Sequence, residues 1–291
     1  MAFNTIRKLA LAGVLCFTAA SAVAETFVFT AIPDEDETKL VERFRGVADY
    51  LSGQLDVDVR YVPVKSYAAA ISAFRNNQVQ LAWFGGLSGV QARRLVPGSE
   101  AIAQGVEDEA FQTYFIANTH TGIEPSDTLA ELREPLKGKT FTFGSKGSTS
   151  GRLMPEFYVR DTFDSKPADF FKRVGFSGNH TRTLRLVEAG TYDAGALNFK
   201  VWEKEQADGN IDTEAVQVVW KTPAYPDYQW TIRGDVNDRF GDGFKQRVTQ
   251  ALLDLKDPEL LESFPRSGFI PASNEDYEPI RKTAEEIGIL D

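Results

Sequence analysis

Apolar positions in this 291-residue chain recur with two periods, and the periods alternate. Residues 27–32 form a short apolar run. Leu40, Phe44, Val47 and Leu51 then follow at three- and four-residue spacing, whereas Val57, Val59 and Tyr61 occupy every second position. Tyr67, Ile71 and Phe74 return to helical spacing before a third apolar run at 79–84. Period two places residues on one face of a strand and period 3.6 on one face of a helix, so this stretch predicts β-α-β-α-β and a mostly parallel sheet. Strands at 101–105 and 111–118 come next, and the polar stretch 119–127 reads as a passage between lobes. A second alternation follows, with strands at 139–143, 174–176, 192–197 and 216–220 and helices carrying Leu153 with Phe157 and Leu184 with Val187. After turns at Pro223 and Pro226 come a strand at 228–232 and closing helices marked by Phe244, Val248, Leu252 and Leu255 and by 280–287. The expectation is a two-lobed α/β protein, with one lobe from 25–118 and 223–291 and the other from 119–222. A single larger doubly wound domain is the alternative. Ligands of such proteins lie between lobes, at the carboxyl ends of strands.

The beginning of the chain changes the picture of where this happens. Arg7 and Lys8 precede an apolar run at 9–20, and Ala22-Val23-Ala24 has the small-x-small form that precedes cleavage, so residues 1–24 read as a secretory signal peptide. The run is too short to span a bilayer. The chain is expected to be exported, periplasmic and soluble. Cys16, the only cysteine, lies inside the leader, so the mature protein offers no thiol, disulfide or thiolate metal site. Loss of Arg7 and Lys8 moves the formal charge from −10 to −12, which argues against nucleic acid as a partner. An anionic ligand stays compatible with that charge, because a clamp of neutral donors acts over a few ångströms.

Candidate chemistry concentrates at Ser145-Lys-Gly-Ser-Thr-Ser-Gly151, between a strand pattern and a helix pattern. A helix start leaves backbone N–H groups unpaired and carries the positive end of the macrodipole, so it attracts negative charge. Ser148, Thr149 and Ser150 add three hydroxyls that rotate to suit a tetrahedral anion. Capping of the helix is the plainer use of Ser148 or Thr149, but it needs one hydroxyl, not three.

Three segments together resemble a known family. Leu81-Ala-Trp-Phe-Gly-Gly-Leu-Ser88, Ser148-Thr-Ser-Gly151 followed by Pro155, and Tyr192-Asp-Ala-Gly-Ala-Leu-Asn198 are similar, in order and separation, to the phosphonate-binding periplasmic proteins of ABC importers. The wording Trp-Phe-Gly-Gly-Leu and Ser-Thr-Ser-Gly-Arg-Leu-Met-Pro looks most like the branch labelled selenate-binding. The resemblance implies a type II periplasmic-binding-protein fold that closes over its ligand as a monomer, without a cofactor or metal, and presents it to a membrane permease. Carried over by position, it implies that Ser148, Thr149 and Ser150 hold the anionic head group, with Tyr67 and Ser88 from the first lobe. His180 or the adjacent Asn179 matches a ligand-contacting histidine. Tyr67 is equally readable as core, Ser88 as a cap and His180 as a helix-end residue. Trp83, Phe84, Tyr225 and Trp230 are core packing or cleft walls.

Departures from the family narrow the ligand. Binders of aminoalkylphosphonates place carboxylates at the far end of the cleft; here Lys200 stands two residues after Asn198, and Tyr228 with Asp227 beside it occupies the later position. A lysine there repels an amine, so the expectation is a small oxyanion or a phosphonate without an amino group. Phosphonate, phosphite, phosphate, selenate and sulfate stay open. A protonated phosphite or phosphate needs a hydrogen-bond acceptor, whereas selenate and sulfate present acceptor oxygens only. Asp34, Glu35 and Asp36 are the candidates for that acceptor, but the four consecutive acids 34–37 suit the first turn of a solvated helix, and that reading is preferred. Two other functions compete. Ser148 or Ser150 with His180 and Asp193 makes a paper triad for a secreted hydrolase, although no Gly-x-Ser-x-Gly elbow is present. An oxyanion-sensing receptor subunit would use the same clamp with a different docking partner.

Overall fold

The computed structural model describes residues 25–290; the expected leader at 1–24 and its Cys16 lie outside the described residues. Two mixed sheets flanked by helices organise the chain. Eleven strands are present among the described residues: β1 (Phe27–Ala31), β2 (Val59–Tyr61), β3 (Leu81–Phe84), β4 (Glu100–Gly105), β5 (Thr113–Asn118), β6 (Thr140–Phe143), β7 (Arg173–Phe176), β8 (Ala194–Asn198), β9 (Val216–Lys221), β10 (Gln229–Ile232) and β11 (Phe269–Pro271). One sheet runs β11-β4-β10-β3-β1-β2 and the other β7-β6-β8-β5-β9.

The repeated apolar–helical pattern produces the parallel part of each sheet, β2-β1-β3 in one and β7-β6-β8 in the other. Each sheet also takes one opposed strand between its parallel ones, and in the first sheet the edge strand β11 runs that opposite way as well. β10 enters the first sheet between β3 and β4, and β5 enters the second between β8 and β9. The sequence places the strand at 111–118 in the first lobe, and here the structure differs: residues 113–118 are hydrogen-bonded to β8 and β9. Burial on both faces gives β5 an apolar pattern that fits either sheet, so periodicity carries no record of which sheet it joins. β11, only three residues long and ending in a proline, left no pattern to read.

The two passages between sheets run side by side. Phe111 and Tyr225 exchange backbone hydrogen bonds of 2.9 and 3.0 Å, Thr222 N–H donates to Thr113 O at 3.0 Å, and Asp227 N–H donates to Asp108 O at 3.0 Å. Pairing of the segments 108–113 and 222–227 thus makes a short antiparallel ribbon between the two sheets. Beneath it the Asp108 carboxylate, fully buried, accepts two hydrogen bonds from the Arg266 guanidinium, both 2.9 Å. The guanidinium also lies over the rings of Phe111 and Tyr228.

The first core is strongly aromatic. Trp83, Trp230, Phe44, Phe264 and Phe269 meet mostly edge to face, and Trp83 stacks on Tyr228 at 5.5 Å. Smaller apolar clusters cover the two faces of the second sheet. Among the described residues no helix is long and apolar enough to cross a membrane. Arg266→Ala removes the cation paired with Asp108 at the ribbon, and breaking such a buried pair costs about 3–5 kcal/mol. A thermal-unfolding midpoint lowered by several degrees is expected, and an unchanged midpoint would show that the pair is dispensable to the ribbon.

Candidate functional site

The Ser148–Gly151 segment folds as a helix start of an unusual kind. Thr149–Leu153 is a π-turn that leads into the α-helix Met154–Phe163, a widened coil that is common at functional positions. Ser148 caps it, its Oγ accepting the Gly151 N–H at 2.9 Å. Gly151 is required sterically: a Cβ there would come within 3.0 Å of both His180 Cε1 and Ser148 Oγ. The chain therefore brings a histidine and the capping serine against one glycine. The amides of Thr149 and Ser150 sit in the first turn, where a helix lacks internal acceptors for them.

From the other half, the carboxyl end of β3 and the helix Gly86–Leu95 approach this start. Leu87 N–H donates to Thr149 Oγ1 at 2.9 Å and Gly86 N–H to Asp227 Oδ1 at 2.8 Å. A Cβ on Gly85 would lie 3.1 Å from Asp227 Oδ1 and 3.4 Å from Thr149 Oγ1, so those two side chains meet over one residue. Tyr67 opens the helix Tyr67–Arg75 and packs on Gly147, where a Cβ would come within 3.2 Å of the tyrosine Cβ. His180 opens the helix His180–Glu188, its backbone N–H donating to Asp34 O at 2.8 Å.

What marks the place is a set of polar atoms with no partner in the protein. Asp34 Oδ1, Tyr67 Oη, Ser150 Oγ, His180 Nε2 and Asp227 Oδ2 are all buried and unpaired, and they come from both halves. Each such atom costs about 1–3 kcal/mol unless something supplies its hydrogen bond. His180 Nδ1 accepts the Asn198 N–H at 3.2 Å, which puts the ring proton on Nε2 and makes that atom a donor. Burial holds the imidazole neutral, pushing it down to about 4. The same burial pushes the Asp34 carboxyl up to about 6, assisted by neighbouring Glu35, and the Asp227 carboxyl up to about 7.

The expected site residues divide. Tyr67, Ser148, Thr149, Ser150 and His180 converge, all 2 % exposed or less. His180 rather than Asn179 turns inward; Asn179 caps its helix, accepting the Arg182 N–H at 2.7 Å. Asn198 and Tyr228 form a support: Asn198 Nδ2 donates to Tyr228 Oη at 3.1 Å while its Oδ1 caps the helix Phe199–Ala207. Ser88 keeps its hydroxyl within its own turn, donating to Gly85 O at 3.1 Å. Lys200 lies against the Phe199 ring and beside Glu203 at 3.4 Å, outside the unpaired set, because at the second turn position of its helix the side chain follows the surface. Trp83, Phe84 and Trp230 belong to the first core, and Tyr225 uses its hydroxyl on Thr113.

The acids at 34–37 overturn the preferred reading of a solvated turn. The helix begins only at Glu37, so Asp36 and Glu37 are exposed whereas Asp34 and Glu35 are buried in the loop before it, Glu35 paired to Arg43 at 2.8 Å. Asp227 carries more of the site than its sequence position suggested; the signal available was an acid between Pro226 and a strand at the point where the chain returns. The hydrolase triad does not assemble. Asp193 accepts from Thr140 and lies beside His120, at the start of β8, whereas His180 bonds Asn198 at the other end, roughly 15 Å away at strand rise.

Comparison with known proteins places this arrangement among binding proteins. The family described as ABC transporter, phosphonate, periplasmic substrate-binding protein matches residues 29–277. A probable ABC transporter phosphite binding protein, PhnD1 of Prochlorococcus marinus (strain MIT 9301), is 41% identical over 263 residues, 89% of this chain and 87% of its own. The phosphonates-binding periplasmic protein of Escherichia coli (strain K12) is 26% identical over 260 residues, 88% of this chain and 75% of its own. The structure of P. marinus PhnD1 in complex with methylphosphonate is similar at a TM-score of 0.87 and 39% identity, over 91% of this chain and 99% of that one.

The buried acids and the histidine make stability depend on pH in opposite senses. A carboxyl raised in the fold stabilises fully below its ordinary value near 3.8 and loses that contribution as pH rises through about 6 for Asp34 and about 7 for Asp227. The depressed His180 stabilises above its ordinary 6.5 and loses its contribution as pH falls towards about 4. Between pH 8 and 6 the acids win, because Asp227 titrates wholly inside that window. Without ligand, the unfolding midpoint is expected to rise by a few degrees on going from pH 8 to 6, a change of order 1 kcal/mol. Asp227→Asn should abolish the rise and leave a fall from His180; an unaltered pH profile in that variant would show that Asp227 is ionised throughout.

Proposed function

This chain belongs to the family of periplasmic substrate-binding proteins of phosphonate ABC transporters, and from that premise we propose that its own ligand is a phosphite or small alkylphosphonate without an amino group. It is the periplasmic phosphonate- and phosphite-binding component of an ABC importer. The observation that carries the finer reading is the mixed character of the unpaired atoms. Tyr67, Ser150 and His180 offer donors, as do the hydroxyls of Ser148 and Thr149 and the first-turn amides of Thr149 and Ser150, and a tetrahedral anion has the oxygens to satisfy them.

Two carboxyls among those donors set the rest of the specificity. Asp227 touches Gly86 N–H and stands over Thr149, so it is beside the head group rather than at the far end where an ammonium would lie. An acid there accepts a P–OH hydrogen and opposes an anion that has only acceptor oxygens. Phosphite and methylphosphonate bring such a hydrogen; sulfate and selenate do not, which disfavours the selenate label.

The mechanism is closure without chemistry, on lobes we divide at the paired ribbon, near residue 110 on the outward passage and 223 on the return. Several contacts join the two halves: Leu87 N–H to Thr149, His180 N–H to Asp34 O, Asn198 to Tyr228, and Lys39 Nζ to Glu205 at 2.5 Å. Ligand oxygens between the helix start and Tyr67 add to these only in the closed arrangement, so binding shifts the population towards it. The closed form is what a permease would recognise after the leader has been removed and the protein released to the periplasm.

Calorimetric titration tests the reading. Phosphite and methylphosphonate are expected to bind at least 100-fold more tightly than sulfate, selenate or 2-aminoethylphosphonate, and equal binding of selenate would overturn it. Thr149→Val, which loses a hydrogen bond to a charged group of about 1.5–3 kcal/mol, is expected to weaken binding roughly 10- to 100-fold. Lys200→Ala should stay within about twofold of the parent.

A further inference from the structure

The site holds two carboxyls and one anion, and a monoprotonated phosphonate brings a single hydrogen. Asp227 and Asp34 each keep one buried oxygen without a partner, Oδ2 and Oδ1. Two buried carboxylates and an oxyanion brought together would repel one another strongly, and two hydrogens shared among the three groups would remove that repulsion. One comes with the ligand. The other has to be taken from solvent.

We infer that Asp34 is a specificity-determining residue that shares a hydrogen with the bound head group, taken up from solvent as the ligand binds. This rests on the phosphonate or phosphite reading given above. The surroundings of Asp34 are arranged for a neutral or hydrogen-sharing carboxyl. Its backbone is fixed across the lobe junction, Asp34 O accepting the His180 N–H at 2.8 Å, and the residue is only 3 % exposed. The nearest cation, Arg43, is spent on Glu35: the guanidinium donates to Glu35 Oε1 at 2.8 Å, both side chains are buried, and the guanidinium lies over Phe44 and Phe264. Asp34 therefore has a fixed negative neighbour and no cation of its own.

The other groups facing it are uncharged or already paired. Tyr61 comes from β2, Tyr67 from the helix Tyr67–Arg75, Tyr228 from the return strand with its hydroxyl against the Asp34 carboxyl, and His180 is neutral. Lys39, one turn before Arg43, is held by Glu205 of the opposite half. Burial and the Glu35 charge both favour the protonated acid, which presents an O–H to a ligand oxygen; the ionised acid presents a charge to it. Glu35 and Arg43 act as positioning residues for this switch, since they hold the loop and fix the sign of the field at Asp34.

The experiment compares wild type with Asp34→Asn, whose amide offers N–H where the protonated acid offers O–H. Affinity for methylphosphonate is measured from pH 6 to 9, and titration of the ligand itself is common to both proteins. The slope of log Kd against pH above pH 7 is expected to be smaller by about one in Asp34→Asn, so that the variant overtakes wild type by about tenfold at pH 9. Discrimination against sulfate is expected to narrow at the same time. Identical slopes in the two proteins would overturn the inference while leaving the ligand reading intact, and so would loss of binding by a folded variant at every pH. Failure of wild type to bind methylphosphonate or phosphite would instead remove the reading beneath it. Should Asp34→Asn not fold, wild-type calorimetry at pH 8 in two buffers of different ionisation enthalpy decides: uptake of a proton beyond that needed by the ligand supports the inference, and none overturns it.

Discussion

A polar atom taken out of water without a partner is expensive, and this protein gathers five of them at one place. Most folds avoid that situation, or fill it with an internal hydrogen bond. Here the atoms come from elements in both halves, including the loop after β1, the helix that Tyr67 begins, the π-turn after β6, the helix that His180 begins and the ribbon residue Asp227. No local rearrangement of one element can satisfy them together. A ligand that brings both oxygens and a hydrogen, reaching both halves at once, has the groups to do so.

The surrounding architecture makes sense as a means of holding that cluster steady. The glycine at 151 lets His180 and Ser148 share one spot, and Gly85 does the same for Asp227 and Thr149. Asn198 serves three neighbours at once, fixing the His180 tautomer, capping its helix and orienting Tyr228. The paired ribbon with its buried Asp108–Arg266 pair ties the two sheets together where the chain passes between them. Charge is managed with similar care. Arg43 is paired with Glu35 and Lys39 with Glu205, so neither brings an unpaired positive charge to the cluster.

The distribution of what was readable follows from the range of the interactions involved. Ser148 to Gly151 was legible because a helix start is a local event: the strand before it, the glycines and the hydroxyls all lie within a dozen residues. Tyr67 and His180 were reachable only through resemblance, since an aromatic or a lone histidine at a helix start has commoner uses. Lys200 was misplaced because sequence position says nothing about which way a long side chain turns, and here it runs along Phe199 towards Glu203. The run of acids at 34–37 misled for a related reason. Its pattern suits a solvated turn, and the partner that breaks the pattern, Arg43, is separated by two helical turns and a change of backbone direction.

By itself the sequence determined the alternation of strands and helices, the split into two α/β halves and the helix start at Ser148–Gly151, because each depends on neighbours along the chain. Tertiary structure alone decided that β5 joins the second sheet, that Asp34 and Asp227 are both buried with an unpaired oxygen, and that His180 rather than Asn179 turns inward. Those outcomes depend on side chains up to two hundred residues apart being desolvated together, and desolvation is a property of the packed interior that no stretch of sequence carries.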